Sequence, residues 1–170
     1  DHDGNSTDSP EEAAEIIGEI TRLLGSTWTD EHGSRTLTQD DVLVVTPYNA
    51  QVVLLRHLLD AAGLHEVKAG TVDKFQGRQA PVVFISMVAS SIGDVPRGIS
   101  FLLNRNRLNV AVSRAQAMSI VVASPKLLTA RCSSVEQLKL VNGLCRYAEM
   151  ADHLPRPGTG TTTRGLTTSR

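Results

Sequence analysis

Runs of β-branched apolar residues alternate along the chain with segments of helical period, and that alternation constrains the fold more than any other feature. Val42-Leu-Val-Val lacks a helical period and predicts a strand over Asp41 to Thr46, buried on both faces and ended by Pro47. Val67 to Val72, Pro81 to Val88 and Met118 to Ala123 predict three further strands. Ser9-Pro10-Glu11-Glu12 reads as a capping box with proline at the first helical position, so a helix is predicted from about Pro10 to Leu24. Asn49 is placed to cap a helix running to Ala62, with Val52, Leu55, Leu58 and Leu59 inward and Gly63 as its stop. Leu103 to Ala115 and Val135 to Met150 also have helical spacing. Thr27 to Gln39 is polar and predicts a loop, and Ser91 to Ser100 a connector. Strands joined through helices need crossover connections, so the expected fold is α/β, doubly wound, a mainly parallel sheet with helices on both faces.

A length of 170 residues with 41% apolar content fits one domain, expected over 1–153. From Leu154 onward the chain is Pro, Gly, Thr and Arg with little to bury, so 154–170 is expected as a disordered tail. Gly158-Thr-Gly160 within it reads as composition bias rather than a phosphate loop. Seventeen basic against eighteen acidic side chains leave a net charge of −1, so any grip on nucleic acid must be local. No apolar run approaches the ~20 residues of a membrane helix; the expected compartment is the cytoplasm, with no membrane partner. The chain opens on Asp1 in a polar stretch and is expected to be cut from something longer. Cys132 and Cys145 read as ordinary thiols, and His57 and His65 lack metal-ligand spacing, so no metal site is expected.

In open parallel sheets, ligands gather at the carboxyl ends of the strands. Thr46-Pro47-Tyr48, the segment from Thr71 to Gly77 and the connector before Arg107 are expected there. Arg107 and Arg114 are seven residues apart, which on one helix puts them on a shared stripe about 10.5 Å long. A guanidinium forks onto two phosphate oxygens and suits charge developing in phosphoryl transfer; two surface ion pairs are the plain alternative.

Arg107-Leu-Asn-Val-Ala-Val-Ser-Arg-Ala115 resembles motif VI of superfamily 1 helicases, and Thr71-Val-Asp-Lys-Phe-Gln-Gly77, extended through Arg78 and Gln79, resembles motif V. Val42 to Gln51 resembles the Ile-Thr-Pro-Tyr-x-x-Gln segment of the same branch, which includes the nonsense-mediated-decay helicase and the replication nuclease-helicase. The ordered set resembles the second, C-terminal RecA-like domain of superfamily 1B helicases. The resemblance implies that Arg114 is an arginine finger reaching the γ-phosphate of ATP, with Arg107 in support. It implies nucleotide contacts from Gln76, Gly77 and Gln79, and single-strand contacts from Thr46, Pro47, Tyr48, Gln51, Thr71 and Val72. Gln79 stands where the family commonly has a glutamate that accepts from ribose hydroxyls; an amide can accept there only without charge. Phe75 is expected in the core.

No Gly-x-x-x-x-Gly-Lys-Ser/Thr appears, and Asp40 and Asp41 precede their strand rather than follow it, so the phosphate cradle and a magnesium-binding acid are both missing. The resemblance therefore implies a RecA-like fold without its own phosphate loop. ATP and Mg2+ would be held mainly by an N-terminal RecA-like domain of the same parent chain. The parent would be an ATP-dependent helicase moving 5′ to 3′ on single-stranded DNA or RNA, and this piece alone would be inactive. Two other readings stay open: a non-catalytic binding or scaffolding module derived from a helicase half, and a motor fused to a nuclease.

Overall fold

The computed structural model describes residues 4–151 apart from 76, 96–97, 104 and 130. The expected tail, 154–170, lies outside the described residues. Helix α1 (Pro10–Leu23) is followed by β1 (Thr27–Asp30), β2 (Gly33–Thr36), β3 (Val42–Val45), α2 (Asn49–Ala61) and β4 (Lys68–Gly70). Then come β5 (Ala80–Ser86), α3 (Ile99–Leu102), α4 (Arg105–Val112), β6 (Ala115–Val122) and α5 (Val135–Met150). Strands β4, β3, β5 and β6 form one four-stranded sheet in that order, with every neighbouring pair parallel.

Both faces of this sheet are covered, as unbroken apolar strands require. Val42 and Val44 of β3 with Val82 and Phe84 of β5 pack against Ala13, Ile16 and Ile20 of α1 and Leu55 and Leu59 of α2. The alternate residues Leu43, Val45, Val83 and Ile85 join Leu102, Ala111, Val141 and Leu144 from α3, α4 and α5. The period-two alternation of each strand thus feeds two separate cores. Among the described residues no helix is long and apolar enough to cross a membrane.

Several sequence expectations need correction. The polar stretch 27–39 is not a loop: β1 and β2 pair antiparallel, and Trp28 is buried in the α1–α2 core. That single indole anchors an otherwise polar hairpin, which averaging over the stretch hides. Asn49 does not cap α2; Tyr48 occupies that position and makes no side-chain cap. The capping box at Ser9 is only half formed. Ser9 Oγ accepts from Glu12 N, but Ser9 N donates to Gln51 Oε1 at 2.7 Å, leaving the Glu12 carboxyl for another task. The predicted helix 103–115 is shorter, α4 running only from Arg105 to Val112, because Ala115 is already paired with Ala80 in the sheet, and α3 precedes it where a connector was expected.

Asp41, just before β3, accepts from the two terminal guanidinium nitrogens of Arg35 at 2.6 Å and from Thr38 N at 2.8 Å. The Arg35 hydrogen bonds, aided by those from Thr38, hold its carboxyl below the usual carboxylate range. A depressed carboxyl pKa means the unfolded chain binds the proton first, so this contribution to stability is complete above the unfolded value of ~3.9 and fades as pH falls through the folded one. Unfolding followed below about pH 4 should show Asp41→Asn losing less stability with acid than the wild type; parallel acid profiles would remove Asp41 from that role.

Candidate sites at two edges of the sheet

Strand direction places the predicted residues. At the carboxyl edge, Thr46 follows β3 and Thr71 follows β4, the two strands being joined by Thr46 N donating to Gly70 O at 3.1 Å. Thr46, Pro47 and Val72 surround a cavity of about 30 Å3 together with Met87 and Leu102. Pro47, Thr71 and Val72 are half-buried, whereas Thr46 and Tyr48 are buried and shape this surface from beneath. The Tyr48 ring lies 5.5 Å from that of Phe101. Thr46 Oγ1 is buried without a hydrogen-bond partner among the described residues.

Gln51 does not join them. It is fully buried, and its amide is held by Ser9 and Ser86: Nε2 donates to Ser9 O at 3.2 Å and to Ser86 Oγ at 3.1 Å. A single strand cannot reach it, so its expected contact role is replaced by an internal one, fastening α2 to α1 and β5.

From Thr71 the chain must return to the opposite edge, because β5 runs parallel to β4. A short 3-10 turn, Val72–Phe75, begins the return, and Phe75 is buried in the core as expected. A Cβ on Gly70 would lie 3.0 and 3.1 Å from Phe75 ring carbons and 3.1 Å from Lys74 Cδ. Gly70→Ala should therefore cost about 1–3 kcal/mol by overpacking, read as a lower urea midpoint. An unchanged midpoint would mean that residues 71–75 are not pinned on β4.

Gly77, Gln79 and Arg114 stand at the amino edge, so Gly77 is not at the carboxyl edge where the segment from Thr71 to Gly77 was expected. Ala80 opens β5 opposite Ala115 of β6, and Ala80 N donates to Arg114 O at 2.9 Å. Gly77 turns with φ +82, the conformation its missing Cβ permits, and Gln79 is exposed. Gln76, expected alongside them, lies outside the described residues.

Arg114 is not on a helix, so the predicted stripe with Arg107 does not form. It sits in the turn between α4 and β6, its N–H bonded to Ala111 O at 3.2 Å. Arg107 lies on α4, and its side chain is not among those described. Arg114 Nε is buried without a hydrogen-bond partner among the described residues. The Arg114 main chain meets the segment that carries Gly77 and Gln79 through Ala80, which begins β5 directly after Gln79. Among the described residues no group of three His, Cys, Asp or Glu side chains could hold a metal.

What the sequence reading missed is the carboxyl group of Glu12, 3% exposed. Its Oε2 accepts from Ser86 Oγ at 2.6 Å and from Val88 N at 2.9 Å, at the carboxyl end of β5. The only sequence signal was an acid in a first helical turn, which is ordinarily a cap.

A model of the AAA domain family matches residues 1–126. The chain is 46% identical over 86 residues to the DNA polymerase alpha-associated DNA helicase A of Schizosaccharomyces pombe, covering 51% of this chain and 12% of that protein. It is 34% identical over 123 residues to the human RNA helicase Mov10l1, covering 71% of this chain and 10% of that protein. It is 32% identical over 127 residues to the DNA replication ATP-dependent helicase/nuclease JHS1 of Arabidopsis thaliana, covering 75% and 9%. The chain thus spans about a tenth of the length of the curated relatives it matches.

Proposed function

We propose, since this chain belongs to the AAA domain family as the second RecA-like domain of a superfamily 1B helicase, that it is one half of an ATP-driven single-strand motor. ATP and Mg2+ are held chiefly by a first RecA-like domain of the same parent chain. Across the cleft, Arg114 meets the γ-phosphate, while Gly77 and Gln79 approach the nucleotide. The observation that carries this reading is the shared amino edge: Arg114 precedes β6, Gly77 and Gln79 precede β5, and Ala80 N donates to Arg114 O at 2.9 Å.

The strand is held at the other edge. Thr71 offers a hydroxyl and Val72 a backbone amide to phosphate oxygens, with Pro47 beside them and Thr46 and Tyr48 supporting from below. Residues 71–79 run from one edge to the other, so closure around nucleotide at the amino edge moves the grip at the carboxyl edge. Cyclic hydrolysis then becomes stepwise travel along single-stranded DNA or RNA. Alone, this chain is expected not to turn over ATP.

A second reading, a non-catalytic binding or scaffolding module, is favoured by Gln79, whose neutral amide replaces a charged acceptor for the ribose. ATP turnover by the parent protein, wild type beside Arg114→Ala, separates the two: a motor loses turnover, and a scaffold has none to lose.

A further inference from the structure

We propose that the open flank of β4 forms a second binding site, a basic groove that holds the sugar-phosphate backbone of the single strand beyond Thr71 and Val72. This extends the motor reading above and rests on it. The groove has a volume of about 430 Å3 and gathers Arg56 of α2, Lys68 of β4, and Lys74 and Arg78 of the returning segment. Asp60 is its one lining carboxylate, and that group lies 3.3 Å from His65 Nδ1. In a chain of net charge −1, such a concentration of cations is local and concave, the arrangement that focuses attraction on an anion.

The cations divide into two kinds. Arg56 is fixed by donating to Ala69 O from Nε at 3.3 Å and from NH2 at 3.1 Å, and Lys68 is paired with Asp40 at 2.7 Å. Lys74 and Arg78 are exposed, and among the described residues neither has a carboxylate partner. They are the two free to neutralise phosphates. The outward Ala69 carbonyl, already taken by Arg56, is not open to the ladder of an added β-strand, which disfavours a peptide docking on this edge. Leu59, Val67 and Phe75 give the groove an apolar floor against which sugars can lie. Lys74 belongs to the turn that Val72 opens, so the groove begins where the carboxyl-edge grip ends.

The test is fluorescence anisotropy of a labelled oligothymidylate with this chain from 50 to 200 mM salt, comparing wild type, Lys74→Gln/Arg78→Gln, and Arg131→Gln/Arg146→Gln, two exposed arginines outside the groove, as a control for the two lost charges. Each single-strand phosphate contact contributes about 0.7 to the slope of log affinity against log salt. The double variant should lose about 1.4 of slope and bind about tenfold more weakly at low salt, with the control close to wild type. A double variant that matches the control overturns the groove and leaves the motor reading standing. A wild-type chain that binds no strand overturns the groove together with the strand-holding part of that reading, whereas the Arg114 turnover experiment judges the nucleotide-facing part separately.

Discussion

Arg114→Ala in the parent protein is expected to cut strand-stimulated ATP turnover by roughly 10³ to 10⁵, equivalent to about 4–7 kcal/mol of barrier, with strand affinity preserved. The separation follows from the two-edge geometry. Arg114 lies before β6 at the amino edge, and Thr71 lies after β4 at the carboxyl edge, so removing one side chain leaves the other surface intact. The turn presenting Arg114 is tied to β5 through Ala80 N, and its backbone N–H closes the last turn of α4. Those ties are main-chain, so truncation should leave the fold in place. Arg114→Lys should recover little, since an ammonium lacks the planar fork that engages two phosphate oxygens. Turnover and strand affinity measured together on the same preparations decide the matter. Turnover that survives in the alanine variant would make Arg114 a structural residue of the α4–β6 turn.

The two central strands were legible in the sequence because β3 and β5 are buried on both faces and therefore read as unbroken apolar runs, whereas β6, only partly buried, begins at Ala115 rather than the predicted Met118. Val42–Val45 and Ala80–Ser86 lie within two residues of their predicted bounds, and α5 matches its predicted bounds. Legibility failed where tertiary pairing overrode local pattern. The helical spacing of 103–115 extends past Val112, but β5 claims Ala115 as a strand partner and ends the helix early. That error moved Arg114 onto a helical stripe with Arg107, and Gly77 was separately assigned to the wrong edge. Topology supplies the correction: in an all-parallel sheet, a residue immediately before a strand lies at the edge opposite to one immediately after. Gln51 failed for another reason. A glutamine beside a strand-contact motif has the same composition whether its amide meets a ligand or Ser9 and Ser86, and only burial separates the two.

Glu12→Ala is expected to destabilise the domain by about 3 kcal/mol, because it strands two buried donors at once, each worth about 1–3 kcal/mol when unsatisfied. Ser86 and Val88 are both fully buried, so water cannot replace the lost acceptor without opening the core. Val88 adds to the effect. Its φ of 71 is the left-handed region, which a β-branched residue occupies at a cost of order 1–3 kcal/mol unless its surroundings impose it. The Glu12 carboxyl, accepting from Val88 N, is one group that imposes it. Glu12→Gln retains an oxygen acceptor and should lose only about 1 kcal/mol. Chemical denaturation of both variants, read at constant m-value, measures the difference. The consequence should reach function, since Met87, between Ser86 and Val88, lines the cavity beneath Thr46 and Pro47. Glu12→Ala should therefore weaken strand binding under conditions in which the variant is still folded, although Glu12 lies on α1 and is almost wholly buried. An alanine variant as stable as the wild type would show that the Val88 turn is held by its packing alone, and would detach α1 from the control of the carboxyl edge.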